Sequence, residues 1–252
     1  MQYCFLLVCF IQVITFSTNA QIKQGTVIYD KTTTATATKY INGGPTSTVV
    51  STEVESFQLS FAGTGSVWEP LPEIRKSAGS SDNVVPLSVN VTDIKSSTGD
   101  NSLYNDHNAG LTFTKRELGG RNYVVMDSIA ILKWKLTGET KKILDFAVEK
   151  AIAKRTFRYP VTVMENGKLK KYEQTETKDV IAWFAKDIPF STGPEVAGLP
   201  GLILQLEYAD GSVVYKAVEF TKKVNSKNIK MPKGGQVVSM QEFQERVQKL
   251  LK

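Results

Sequence analysis

Cysteine is almost absent from these 252 residues: the two that occur, Cys4 and Cys9, both lie near the start of the chain. Once that opening segment is removed, the remainder has no disulfide, no thiolate metal site and no cysteine nucleophile. Histidine occurs once, as His107 in YNDHNAG. A lone histidine excludes multi-histidine metal sites and the H-E-x-x-H pattern, and any Ser-His-Asp arrangement would have to use it. The chain also lacks a G-x-S-x-G elbow, a P-loop and a dinucleotide fingerprint. After the first segment, no apolar run is long enough to cross a bilayer as a helix. No metal and no cofactor is therefore expected, and no reaction is legible.

What is present begins with MQYCFLLVCFIQVITFSTNA, residues 1–20. An apolar run from Tyr3 to Phe16, broken only by Gln12, leads to the small residues Thr18 and Ala20. That is the shape of a secretory signal, too short for a spanning helix and ending on small residues at the cleavage positions. No Lys or Arg precedes Lys23, so the usual basic start is missing, and a retained membrane anchor is the alternative. A lipoprotein reading fails because Val8 is bulky and the apolar run continues past Cys9. The expected organisation is a signal over 1–20 and a single β-rich domain over 21–252. The expected location is outside the cytosol, periplasmic or associated with the outer membrane. The formal charge of +6 belongs wholly to residues after the signal. Its lysines concentrate in TKKVNSKNIKMPKGG, which contains no acid. Such a run either serves solubility or favours an anionic membrane surface; export makes nucleic acid an unsuitable partner.

Extended patterning dominates the mature chain. QGTVIYDKTT, ESFQLSFAG, RNYVVMDSI and ILKWKL alternate β-branched or aromatic residues with polar ones and read as strands. SAGSSDNVVPLSVNV and KSSTGDNSLYNDHNAG read as loops. In VTVMENGKLKKY, Asn166-Gly167 suits a type I′ hairpin turn that sets Glu165 opposite Lys168 and Met164 opposite Leu169. Asp210-Gly211 sets Tyr208 opposite Val213, Leu206 opposite Tyr215 and Leu204 opposite Ala217. Strict alternation then puts Leu202, Leu204, Leu206, Tyr208, Val213, Tyr215 and Ala217 on one core face. KKILDFAVEKAIAKR is a helix by propensity but also carries strand spacing. At the end, Ser239 and Glu242 form a capping box ahead of a stripe of Met240, Phe243, Val247, Leu250 and Leu251, predicting a docked amphipathic helix.

Leu199-Pro200-Gly201-Leu202 predicts a type II turn, with Pro fixing the first central φ and Gly supplying a positive second one. The glycine leads into the strand LILQLEY rather than a helix, so a phosphate cradle is not indicated. Gly198, Leu199, Pro200, Gly201, Leu202 and Ile203 spell GLPGLI. Trp134, Glu139-Thr140-Lys141, Ile143-Leu144, Lys150-Ala151, Ala182-Trp183-Phe184, Asp187-Ile188-Pro189 and Gly193-Pro194 come before it in order. This set resembles the GLPGLI family of exported proteins from Bacteroidetes-type bacteria, over roughly residues 124 to 220. The resemblance implies the compartment and a β-rich fold, and implies no activity. It moves KKILDFAVEKA towards strand. Many relatives carry a cysteine before the Lys-Ala pair where this chain reads FAVEKA, so no thiol role transfers.

The expected fold class is mainly β (α+β): a long twisted antiparallel sheet curling towards an open half-barrel, with a C-terminal amphipathic helix. No catalytic residue is assigned. The binding candidates are Trp134, Trp183 and Phe184, which are core or groove lining, and Asp187 and Glu195, which flank Gly193-Pro194. Those two carboxylates serve either turn-forming hydrogen bonds or acid–base work. His107 is expected to be solvated. Asp100, Asp106 and Asn108 lack the glycine and terminal glutamate of a calcium loop. The function read from this is a non-catalytic envelope protein binding an apolar ligand or an envelope component such as an outer-membrane protein. The alternative is a secreted hydrolase using carboxylates.

Overall fold

The computed structural model describes residues 21–41, 44–72, 102–165 and 168–250. The expected signal 1–20, the loop 77–91, Asp100 and the Asn166-Gly167 turn lie outside the described residues. In chain order the strands are β1 (Gln24–Ile41), β2 (Gly44–Ala62), β3 (Gly65–Pro70), β4 (Leu103–Asp106), β5 (Leu111–Leu118) and β6 (Arg121–Ser128). β7 (Lys135–Ile143), β8 (Phe146–Glu165), β9 (Lys168–Ala185), β10 (Leu202–Tyr208), β11 (Val213–Thr221) and β12 (Gln236–Ser239) follow, then helix α1 (Met240–Leu250). All twelve strands join one open sheet in the order β12-β6-β5-β4-β3-β2-β1-β11-β10-β9-β8-β7. Its edges are β12 and β7, and β12 pairs parallel with β6 while the other neighbours run antiparallel. The mainly β, open-sheet architecture with a C-terminal helix is the one the sequence predicts.

The sheet is strongly curved. Trp68 on β3 and Tyr215 on β11 are three strand spacings apart, about 14 Å on a flat sheet, yet their ring centroids lie 6.0 Å apart. Phe57 and Tyr29 complete this inner aromatic patch, each 5.2 Å from Trp68. The Tyr29 hydroxyl spans β11 to reach the Ile203 carbonyl at 2.7 Å.

Both hairpin registers are the expected ones. Glu165 pairs with Lys168 and Met164 with Leu169, as read from Asn166-Gly167. Leu206 pairs with Tyr215, the expected register, but the two-residue type I′ turn expected at Asp210-Gly211 does not form, because Asp210 is not in the positive-φ region that such a turn requires at both central residues. That loop is closed by the Gly211 N–H donating to the Tyr208 carbonyl at 2.8 Å, with Gly211 at φ +70°. The Ser212 hydroxyl and the Lys178 ammonium hold the Asp210 carboxyl down at about 2. A second expectation fails within this hairpin. A register shift between Ile203 and Gln205 inserts an extra residue against β9. Leu202 and Leu204 then join one core cluster and Ile203, Leu206 and Tyr208 another, while Tyr215 and Ala217 keep the common buried face predicted for β11. A bulge inverts side-chain alternation beyond it, so the predicted single face is split.

Two further readings are corrected and a third is settled as strand. LYND forms β4, because its backbone is paired on both sides by β3 and β5. ILKWKL is not a strand before Lys135: Ile131 makes an isolated parallel bridge to Ala197, and the segment is held by the β9–β10 connection. KKILDFAVEKAIAKR is strand, as the family resemblance implies and against its own propensity: the end of β7, a turn at Leu144-Asp145 and the start of β8, with Leu144 at φ +52°. Burial of Ile143, Val148, Ala151 and Ala153 in the sheet overrides helix propensity.

The C-terminal helix docks as predicted. The Glu242 N–H donates to the Ser239 hydroxyl at 3.2 Å and Glu242 accepts the Ser239 N–H at 2.8 Å, a reciprocal capping box. Phe243 is buried edge-on to Tyr123 at 5.7 Å, with Met240 and Val247 beside it. Leu250 is largely exposed, and Leu251 lies outside the described residues.

Candidate ligand pocket beneath the β9–β10 connection

The connection between β9 and β10 folds back over the inner face and brings the signature residues together. Proline and repeated two-residue kinks keep it from joining a ladder. The Ile188 carbonyl accepts the Phe190 N–H (2.7 Å), that of Phe190 accepts Thr192 (2.8 Å), and that of Pro194 accepts Val196 (2.6 Å). Phe190 stacks against Phe61 at 4.8 Å and meets His107 edge-on at 4.9 Å. The return is pinned by the Leu202 N–H on the Ile188 carbonyl and the Ile203 N–H on the Thr192 carbonyl, both at 3.0 Å.

The glycines of this segment serve close approach. A Cβ on Gly201 would lie 2.2 Å from the Ala185 carbonyl oxygen, and one on Gly193 would lie 2.5 Å from Ile203 Cβ. Gly201 is not in the positive-φ region, so the predicted type II turn is replaced. The left-handed glycine is Gly198, at φ +103°, packed on Ile131 and Trp134. Its neighbour Leu199 is buried among Phe184, Val196 and Ile203.

Glu195 sits at the centre of the last kink with φ +59°, a conformation that is strained for a residue with a Cβ. Its Oε1 accepts the Tyr215 hydroxyl at 2.5 Å, and its Oε2 accepts the Tyr208 hydroxyl at 2.7 Å and an Arg155 N–H. Arg155 also donates to the Tyr208 oxygen at 2.9 Å. Burial alone would push this carboxyl up. Arg155 and the two phenols outweigh it and hold Glu195 below its ordinary value. Burial and the Glu195 charge push both phenols well above theirs. The group is thus an ionised carboxylate whose two oxygens accept three hydrogen bonds, 31 % accessible at the side chain.

Beside it lies a cavity of about 220 Å³, walled by Trp68, Leu103, Ile129, Val196 and Ala197, with Glu195 and Thr112 among its polar lining. The Thr112 hydroxyl is buried and has no hydrogen-bond partner among the described residues.

The sequence candidates distribute around this pocket unequally. Trp134 donates its indole N–H to the Ala197 carbonyl at 3.0 Å, and Phe184 is fully buried behind Leu199. Trp183 belongs to the other cluster, where the Lys141 ammonium lies 4.0 Å from its ring centroid. Asp187 is exposed at the start of the connection and does not join Glu195 in one hydrogen-bonded group among the described residues. His107 is half-buried rather than solvated: its Nε2 is 2.9 Å from the Ser66 hydroxyl, and its packing on Phe190 fixes the ring. Asp106 closes the following turn by accepting the Asn108 and Ala109 N–H groups at 3.0 and 3.1 Å. The residues not foreseen are Arg155, Tyr208, Tyr215 and Trp68. Arg155 carried a signal: it continues the inward register of Ala151 and Ala153, and a charge there requires a partner.

Comparison with known proteins finds one matching family model and distant likeness to solved structures. The family model described as "Protein of unknown function (Porph_ging)" matches residues 134–205, from Trp134 through β8, β9 and the connection into β10. This fits an uncharacterised family of the kind the GLPGLI residues indicate. No curated protein matches. Among solved structures, "Structure of PNGF-II in P21 space group" is similar at 13 % identity and TM-score 0.50, over 91 % of this chain and 34 % of that one. "Structure of PNGF-II in C2 space group" is similar at 14 % identity and TM-score 0.48, over 88 % and 33 %. The chain spans about a third of the length of those structures, and at this identity the likeness concerns the fold alone.

Proposed function

We propose that this is an exported cell-envelope protein, periplasmic or associated with the outer membrane, that works by binding and not by catalysis. Its ligand is apolar in body, or is an envelope component presenting an apolar group. The observation that carries the reading is the 220 Å³ cavity against Trp68, walled largely by apolar side chains. The unpartnered Thr112 hydroxyl supplies one place for a polar group on that ligand. The carboxylate beside the cavity argues against the hydrolase alternative. Glu195 is held ionised by Arg155 and its oxygens are taken by phenols, so it has no proton to give and is a weak base. Met164 and Leu169, 74 % and 70 % exposed near the tip of the β8–β9 hairpin, offer a protein partner a further apolar contact.

Two measurements test this. Native mass spectrometry of protein purified from its own envelope is expected to show a co-purifying lipid or protein; recovery of the bare polypeptide alone overturns the reading. The neutral probe N-phenyl-1-naphthylamine is expected to fluoresce on binding and to be lost in Ala130→Phe, which narrows the cavity from an exposed lining position. Equal probe binding by wild type and variant places the apolar site elsewhere and removes the cavity from the proposal.

A further inference from the structure

The lysine-rich segment after β11 is a strap across the outer face of the sheet. Three contacts fix its course. The Thr26 hydroxyl donates to the Lys223 carbonyl at 3.0 Å. Asn225 caps a short turn over Ser226–Asn228 by accepting the Lys227 N–H at 3.2 Å. Ile229 packs on Gly65, where a Cβ would lie 2.9 Å from its methyl. Between the strap and β1–β4 runs a cleft of about 650 Å³, well within the size range of small-molecule sites. Its floor is polar because Thr26, Gln58 and Ser60 alternate with the inward apolar residues of β1 and β2.

The charge of this cleft is one-sided. Lys223, Lys230 and Lys233 line it, and Glu69 is the one acid among the lining residues. Glu69 accepts the Gln58 amide at 2.9 Å. Among the described residues none of the three lysines forms an ion pair, in contrast to Lys31, Lys150, Lys154 and Lys178. Three ammonium groups against one carboxylate leave about two positive charges, which complement a phosphate monoester. A solvated lysine run would scatter its charges. Here Lys222 and Lys227 of the same run do not line the cleft, while the other three do.

We propose that this outer-face cleft binds a phosphorylated polyol. The phosphate meets Lys223, Lys230 and Lys233, and the hydroxyls meet the Gln58, Ser60 and Asn225 side chains lining the same space. The site lies on the face opposite the Trp68 cavity, so it stands or falls independently of the apolar pocket.

The chemistry is shared by free polyol phosphates and by lipid headgroups, and the test separates them. Calorimetry with sn-glycerol 3-phosphate reads the free form; flotation with phosphatidylglycerol vesicles against phosphatidylcholine reads the headgroup. Saturable one-site binding in either arm is expected. K223Q/K230Q/K233Q should weaken it at least tenfold, and K222Q/K227Q less than twofold. All five lysines are exposed, so neither variant disturbs folding, and an unchanged circular dichroism spectrum checks this. Binding of neither probe, or comparable loss in both variants, overturns the proposal, the second result revealing only a diffuse polycation.

Discussion

Replacing Glu195 tests whether the β9–β10 connection is locked to the sheet by charge and at the cost of backbone strain. The carboxylate accepts from Tyr215, Tyr208 and Arg155. Hydrogen bonds to an ionised group are each worth about 1.5–3 kcal/mol net, but 31 % of the Glu195 side chain and 24 % of Arg155 remain accessible. Water therefore re-solvates part of what the substitution exposes, and Glu195→Ala should cost about 3 kcal/mol rather than the sum. Glu195→Gln keeps an acceptor for the phenols and loses the charge facing Arg155, for about 2 kcal/mol. Glu195→Gly should be more stable than Glu195→Ala by about 1 kcal/mol, because φ +59° strains any residue with a Cβ. Urea unfolding followed by tryptophan fluorescence reads these differences. For a chain of this size 3 kcal/mol corresponds to a shift of about 6–12 °C in Tm. The acid limb adds a second readout. A carboxyl held below its ordinary value stabilises the fold fully above its unfolded pKa, and that contribution is lost as pH falls through the depressed value. The alanine variant should lose part of this acid sensitivity. A cost below about 1 kcal/mol, or glycine no better than alanine, would refute both the network and the strained turn.

Gly201→Ala places a methyl 2.2 Å from the Ala185 carbonyl oxygen, and neither backbone can yield. It should cost several kcal/mol and give protein without a cooperative melt; a Tm within about 2 °C of wild type refutes the close approach. His107 is pushed below its ordinary value by burial, more than Asp106 raises it, so the unfolded chain binds that proton more tightly. Stability from this group is complete above pH about 6.5 and declines as pH falls through that value, and His107→Gln should flatten the decline in parallel urea titrations at about pH 7.5 and 5.5. Ser239→Ala removes the capping hydroxyl of α1 and should cost about 1 kcal/mol, with faster amide exchange in the first helical turn.

Short-range features were legible without coordinates. The registers Glu165–Lys168 and Leu206–Tyr215 are those expected from the turn residues between the strands, and the α1 start follows from Ser239 and Glu242 alone. Local preference misjudged LYND because pairing on both sides outweighs it, and in KKILDFAVEKAIAKR helix propensity yields to burial of alternate residues, as the family resemblance indicated. Only the tertiary structure decided the site. Arg155, Glu195, Tyr208 and Tyr215 come from three strands and a connection, and one extra residue at Leu204 sets which of their neighbours face the pocket. The glycines of the β9–β10 connection are needed where Ala185, Ile203 and Ile131 press against them, and the lysine run makes a cleft where Thr26 and Gly65 hold its strap. Turn and cap chemistry acts over a few residues and is written in the chain. Curvature, close approach and charge pairing join residues far apart in it, and exist only once the sheet has formed.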